Sequence, residues 1–171
     1  MAVNKGKRER IVDLAVAGDV IGFADFATGA HRADAMAIGD CGVYMIKPRA
    51  WNRIAARGVD VPSLAVLAAY ELRRALRHAM RLRLNAMSRL ADFLLELGQK
   101  SGLNTSGTGP VLLPSGKNLA NYLDLCPETL SRTFHKMESL ACFHRVDYRV
   151  LYAVDWSLLR KIRATTWRRQ V

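Results

Sequence analysis

The sequence predicts an α+β fold in three parts: a run of short strands, one long helix, and a compact domain of helices with a β-hairpin. Three observations predict it. Residues 3–46 hold short apolar runs punctuated by glycine and aspartate, the pattern of brief strands joined by turns. Residues 62–84 place small and apolar side chains at a 3-4 repeat with arginines between them, the pattern of a helix. Residues 113–140, LPSGKNLANYLDLCPETLSRTFHKMESL, read as two short helices separated by a tight turn. The domain boundaries expected from these changes are 1–58, 59–84 and 85–171.

In the first part, residues 10–14 form an expected strand and Gly18-Asp19 a turn. Val20-Ile21 is a short apolar run, 33–38 a weak strand, Gly39-Asp40 a turn, and 42–46 a better strand. Residues 48–57 suggest a short helix, with Pro48 in its first turn, Trp51 and Ile54 as contacts and Gly58 past its end. Pro62 then opens the long helix. Ala65, Ala68 or Ala69, Leu72, Ala75 or Leu76, Ala79 and Leu82 follow the repeat, and Arg73, Arg74, Arg77 and Arg81 fill the intervening positions. Periodicity alone fits two outcomes equally: a helix paired with another helix through a small-residue seam, or a helix lying on its own domain's core.

Asn85 is placed to cap a helix over 86–99, with Met87, Leu90, Ala91, Leu94 and Leu97 as its buried side. Residues 101–110 have linker composition, and 111–113 suit a short strand. Ser115 is an N-cap for the first helix of the pair, whose inner side is Leu119, Ala120, Tyr122 and Leu123. Asp124 occupies the turn, and Pro127 suits the first turn of the second helix, where its missing N–H is not needed. Leu130, Phe134 and Met137 form one apolar stripe, while Glu128, Ser131 and Arg132 share another face. A hairpin is expected next, with arms 143–145 and 148–154 about a turn near Val146-Asp147. Asp155 caps a last helix with Leu158, Leu159 and Ile162 inward and a basic tail, Arg160, Lys161, Arg163, Arg168 and Arg169.

Charge narrows the function. Lys and Arg number 26 against 15 Asp and Glu, a formal charge of +11 and a pI near 10.1. The excess is +2 in residues 1–61, +4 in 62–100 and +5 in 101–171, so it sits in the last two-thirds. A balance this basic favours a polyanionic partner, most often nucleic acid. Cys41, Cys126 and Cys142 are far apart, giving neither a disulfide framework nor a metal knuckle and fitting a reducing cytoplasm. Asp13 and Asp19 break the apolar run after the basic N-terminus, which argues against a signal peptide, and no run is long enough to span a membrane. Glycine-rich phosphate loops, metal-ligand clusters and nucleophile–base constellations do not appear, so an enzyme is not expected and no cofactor is called for.

The face of Glu128, Ser131 and Arg132 suits reading of base edges. Arginine matches the two acceptors of guanine, glutamate accepts from cytosine N4–H, and serine is adaptable. The alternative for such a trio is a solvated charged face on an ordinary helix pair. The order LPSGKNLANYLDLCPETLSRTF resembles the DNA-binding motif of the Crp/Fnr family of bacterial transcription regulators, and its E-x-x-S-R pattern is similar to the Fnr and FixK-type branches. The resemblance implies a C-terminal winged helix-turn-helix that reads TTGA-type inverted repeats of double-stranded DNA. Glu128, Ser131 and Arg132 stand at the base-reading positions, and Thr129, Ser115, Lys117, His135, Lys136 and Arg145 complete the expected DNA contacts. Two positions depart from the pattern: Asp124 stands where glycine is usual, and Cys126 where Thr or Ser caps the second helix.

The same resemblance makes 59–84 a dimerisation helix, with Ala65, Ala68, Leu72, Ala75, Leu76, Ala79 and Leu82 as the homodimer seam. It implies an activator that acts through RNA polymerase in the cytoplasm. GDVIGFADFATGAHRADAMAIGDCGVYMI looks like the later half of the family's sensory β-roll, a partial cyclic-nucleotide-binding-like roll without its earlier strands. Nucleotide-binding members carry Gly-Glu and then Arg-Ser or Arg-Thr. Here Phe23 follows Gly22, and Ala33-Asp34 follow Arg32, so no cyclic-nucleotide binding is expected. A half-roll exposes strand edges. The rival expectation is therefore a truncated or degenerate member that dimerises, or binds DNA only non-specifically.

Overall fold

The computed structural model describes residues 2–4, 10–25, 28–47, 50, 53, 56–57, 64–103, 109–147 and 149–167. The chain divides into two compact units, 1–77 and 78–171.

The first unit holds a three-stranded antiparallel sheet in the order β2-β1-β3, where β1 is Ala2–Asn4, β2 Arg10–Asp13 and β3 Asp34–Ala35. Val3 faces Ile11 across one ladder and Ala2 faces Ala35 across the other. Ile11 is the buried residue of β2. Helix α1 (Leu64–Arg81) is tied to the strands of this unit by Arg74, in its third turn. Its guanidinium lies 2.5 Å from Asp13, 3.1 Å from Glu71 and 3.9 Å from Asp19. Asp25 organises the loop that follows, accepting from the Arg32 backbone N–H at 3.1 Å and lying 3.7 Å from its guanidinium.

Two sequence expectations fail here. Residues 42–46 are not a strand: they run irregular and exposed, with Tyr44 95% and Met45 91% accessible. Strand propensity reports how well a side chain fits a half-buried pleated surface, and no described strand lies beside this segment. The weak strand expected over 33–38 shortens to Asp34–Ala35, and the short apolar run Val20-Ile21 is exposed. Of the expected helix over 48–57, residues 50, 53 and 56 are helical, and Pro48, Trp51 and Ile54 lie outside the described residues.

The second unit is built on α2 (Ala86–Lys100), which buries Leu90, Ala91 and Leu94 completely. Asn85 caps it as expected, its side chain accepting from the Ser88 N–H at 3.0 Å. The helix ends one residue beyond the predicted 99. It packs against α4 (Pro127–Ser139) and α5 (Trp156–Trp167). Ser88 reaches across to donate to the Ile162 carbonyl at 3.2 Å. Asp155 caps α5, accepting from the Leu158 N–H at 2.9 Å.

Gly98 is required at the contact of α2 with α5. A Cβ built there would collide with the Trp156 ring. Gly98→Ala is therefore expected to cost about 1–3 kcal/mol by overpacking, although alanine is the better helix former; a urea melt checks it.

A second sheet, in the order β4-β6-β5, completes the unit, with β4 Val111–Leu112, β5 His144–Asp147 and β6 Val150–Tyr152. Val111 pairs with Leu151 and both are buried. The hairpin turn sits later than the predicted Val146-Asp147, because Asp147 is itself the last residue of β5. Its carboxylate accepts from the Arg149 N–H at 2.5 Å, the local turn chemistry that aspartate offers. The pairing register also shifts between Arg145 and Asp147.

Candidate nucleic-acid interface

The helix pair is α3 (Gly116–Leu123) and α4. The Ser115 hydroxyl accepts from the Asn118 N–H at 3.3 Å, and Leu119, Ala120, Tyr122 and Leu123 are buried as expected. The turn closes by a left-handed residue. Asp124 takes φ 53° and ψ 50°, and the Leu125 N–H returns to the Ala120 carbonyl at 2.9 Å. That is a Schellman-type helix end with aspartate where glycine is commonest.

Helix α4 starts at Pro127 and is anchored by Leu130, Phe134 and Met137, all buried. Thr133 is also buried and donates to the Thr129 carbonyl at 2.7 Å. Phe134 meets Phe143 of the hairpin edge-on, with ring centroids 5.8 Å apart. With this side turned inward, Glu128, Ser131, Arg132, His135 and Lys136 are exposed together, and Lys117 is exposed on α3.

Cys126 makes no side-chain cap to the helix backbone. Its Sγ lies 2.9 Å from the Thr129 hydroxyl, and the Arg132 guanidinium donates to that same hydroxyl at 3.4 Å. Thr129 thus aims Arg132 instead of facing solvent fully; it and Ser115 are half-buried. Arg145 departs further from a free surface cation. Its backbone N–H donates to Glu138 at 3.1 Å, its guanidinium lies 3.6 Å from the same carboxylate, and it stacks 5.6 Å from the Phe134 ring centroid. An ion pair of this kind fixes the hairpin against α4 and reduces the charge left for a phosphate.

On α1, Ala65, Ala68, Leu72, Ala75, Leu76 and Ala79 are exposed, with Leu72 62% and Leu76 55% accessible; Leu82, expected on a helix running to 84, lies half-buried in the turn that follows Arg81. Val66, Tyr70 and Met80, which the spacing argument did not select, are exposed large side chains on the same helix. Together they leave an apolar helix surface open to water.

Two arginines that the sequence reading passed over are central to the unit. Arg81, assigned to an intervening position, is fully buried. It donates to Asp92 at 2.8 Å, to Glu96, and to the Tyr122 hydroxyl at 3.1 Å. Burial alone works against its charge; Tyr122, Glu96 and Asp92 outweigh that and raise its pKa above the ordinary guanidinium value. Arg163 of α5 lies 3.6 Å from Asp92, and His78 stacks on Tyr122 with centroids 4.8 Å apart. Arg89 donates only to backbone carbonyls around the ends of α1 and α3. A partial signal was present: Asp92 and Glu96 stand four apart among the apolar residues of α2, and carboxylates in that place call for a buried cation without saying which arginine supplies it. Arg89 had no such signal, because its acceptors are main-chain atoms.

Among the described residues, no group of side chains is arranged to hold a metal ion, and no helix is long and apolar enough to cross a membrane. Residues 88–162 match the model of the Crp-like helix-turn-helix domain. The chain is similar to the nitrogen fixation regulation protein FixK of Azorhizobium caulinodans, 31% identical over 163 residues. The match covers 91% of this chain and 63% of that protein, so the chain spans less than two-thirds of this relative's length. The structure of FixK2 from Bradyrhizobium japonicum is similar with a TM-score of 0.55 and 27% identity, over 68% of this chain and 59% of that one. A regulatory protein of Silicibacter pomeroyi DSS-3 shares the fold with a TM-score of 0.63 and 23% identity, over 95% of this chain and 72% of that one.

Proposed function

We propose that the chain, whose residues 88–162 match the Crp-like helix-turn-helix domain, is a regulator of the Crp/Fnr family, in its FixK branch, that binds TTGA-type inverted repeats sequence-specifically as a homodimer. One observation carries this reading. Glu128, Ser131 and Arg132 are exposed together at the start of a helix whose other side is locked into the core by Leu130, Phe134 and Met137. In a helix-turn-helix that end of the second helix enters the major groove, and paired half-sites lie about one turn of DNA apart. Lys117, His135 and Lys136 border the reading face and suit phosphates, which position a protein without specifying sequence. Thr129 steadies Arg132 from behind, and Ser115, which caps α3, is a further contact at the start of that helix. On the family's pattern the bound dimer activates through RNA polymerase, in the cytoplasm and without cyclic nucleotide. Asp25, which engages the Arg32 backbone and lies beside its guanidinium, supports the last point.

The open apolar surface of α1 supports the homodimer. Leu76→Glu is expected to shift sedimentation from dimer to monomer, since burying an unpaired carboxylate in such a seam is strongly unfavourable. The exposed run around Tyr44 and Met45 favours a second reading, a degenerate member that binds DNA by charge alone. A gel-shift titration near physiological salt separates the two. Tight binding to an inverted TTGAT…ATCAA duplex, and not to a scrambled duplex of equal composition, is the expected result. Weak, equal and salt-labile binding to both duplexes sinks the specific reading.

A further inference from the structure

Arg89 stands in the first turn of α2 and directs its guanidinium at backbone alone. Nε donates to the Leu84 carbonyl at 2.8 Å, and Nη2 to the Leu82 carbonyl at 2.5 Å. Nη1 donates to the Leu123 carbonyl at 2.9 Å and to the Asp124 carbonyl at 3.0 Å. The first two acceptors belong to the turn leaving α1. The other two form the corner between α3 and α4, three or four residues before the reading helix begins at Pro127. Both places are helix C-termini, where carbonyls lack intrahelical partners and carry the negative end of the peptide dipoles. A planar fork of donors serves four acceptors in two directions; the compact ammonium of lysine does not.

Arg81 crosses the same gap in the opposite sense. It leaves the last position of α1 to reach Asp92 and Glu96 on α2 and Tyr122 on α3. The end of α1 and the helix pair are therefore joined twice, once through side chains and once through main chain. The two joints differ in kind. Arg81 sits on buried carboxylates, so its loss unbalances the core. Arg89 is half-buried and its acceptors can take water instead, so its loss frees the corner without emptying the core.

We propose that Arg89 is a positioning residue for paired DNA recognition: by clamping the corner before α4 to the turn leaving α1, it sets which half-site spacing a dimer accepts. This rests on the dimeric DNA-binding reading above. In a two-fold dimer a shift of one recognition helix along the DNA is doubled in the distance between the pair, so half of a base-pair step of about 3.4 Å in each is enough to lose the register.

The test uses the full chain, wild type and with Arg89→Lys or Arg89→Gln, and fluorescence anisotropy on labelled duplexes. The duplexes carry TTGAT…ATCAA at the preferred spacing, at spacings one and two base pairs longer or shorter, or as a single half-site. The expected result is a cooperative melt and an unchanged affinity for the single half-site in the variants. Affinity at the preferred spacing then falls about tenfold, because simultaneous engagement is lost, and the spacing preference flattens. An equal loss on every duplex, or an unchanged preference, overturns the proposal while leaving the functional reading intact. So does loss of the cooperative melt in both variants, since the residue would then hold the domain together instead of orienting it. A wild type that fails to distinguish the inverted repeat from a scrambled duplex overturns the functional reading, and this inference with it.

Discussion

Arg81→Ala should lower the unfolding free energy by about 3–5 kcal/mol, the range seen when one partner of a buried ion pair is removed. Asp92 and Glu96 would remain with side chains only 14% and 13% accessible and without the cation between them. Arg163, 3.6 Å from Asp92, and Lys100, 3.9 Å from Glu96, soften the loss, so the lower end of the range is expected. The Tyr122 hydroxyl also loses its donor. Urea denaturation followed by circular dichroism gives the number. A loss below 1 kcal/mol would mean that water replaces the guanidinium readily and that the pair is not buried in solution. The control is Arg81→Met combined with Asp92→Leu and Glu96→Leu. Removing all three charges at once is expected to be far milder than removing one, because no charge is then stranded.

The same site fixes a pH expectation. A group whose pKa is raised on folding gives stability that is fully present below its unfolded pKa and is lost as pH rises through the folded one. Arg81 is such a group, and both values lie above any working pH. Its contribution therefore stays constant from pH 5 to 10 in the wild type.

Arg132→Ala should reduce affinity for the specific duplex by about 5- to 150-fold, the equivalent of the roughly 1–3 kcal/mol carried by a good bidentate base contact. Arg132 is exposed at the reading face, and its guanidinium is steadied by the Thr129 hydroxyl at 3.4 Å. The effect is expected to be selective. Binding to a scrambled duplex changes little, so the ratio between the two collapses. Lys136→Ala supplies the contrast: it should weaken both duplexes alike and reduce the salt slope by about one unit. Equal losses from the two substitutions would assign Arg132 to phosphate and remove it from base reading.

What could be read from the sequence was what depends on near neighbours. Ser115, Asn85 and Asp155 cap the helices they were expected to cap, because a cap is a contact three residues long. Pro127 opens α4 and Leu130, Phe134 and Met137 are buried, because spacing alone sorts helix faces. Asp124 adopts the left-handed turn that the tight corner demanded. What could not be read depends on distant partners. Residues 42–46 have strand-like composition, yet a strand needs a neighbour, and none of the described strands supplies one. The hairpin turn moved because Asp147 closes its own local bond to Arg149. Arg81 was indistinguishable from Arg73 or Arg77 along the helix; the Tyr122 hydroxyl that engages it lies 41 residues away. On the reading face, the sequence showed which residues are exposed but not that Thr129 and Cys126 stand behind Arg132, a detail of rotamers.

The pairing of Arg145 with Glu138 has a consequence for how a promoter would be occupied. Arg145, Arg81 and Arg89 are all counted in the formal charge of +11, yet each is already committed within the protein. Fewer counterions are then expelled from the duplex than a tally of basic residues suggests, and each expelled ion contributes one increment of sensitivity to ionic strength. A cell whose potassium content swings with osmotic stress would therefore see a steadier fraction of sites filled than the composition of this chain implies.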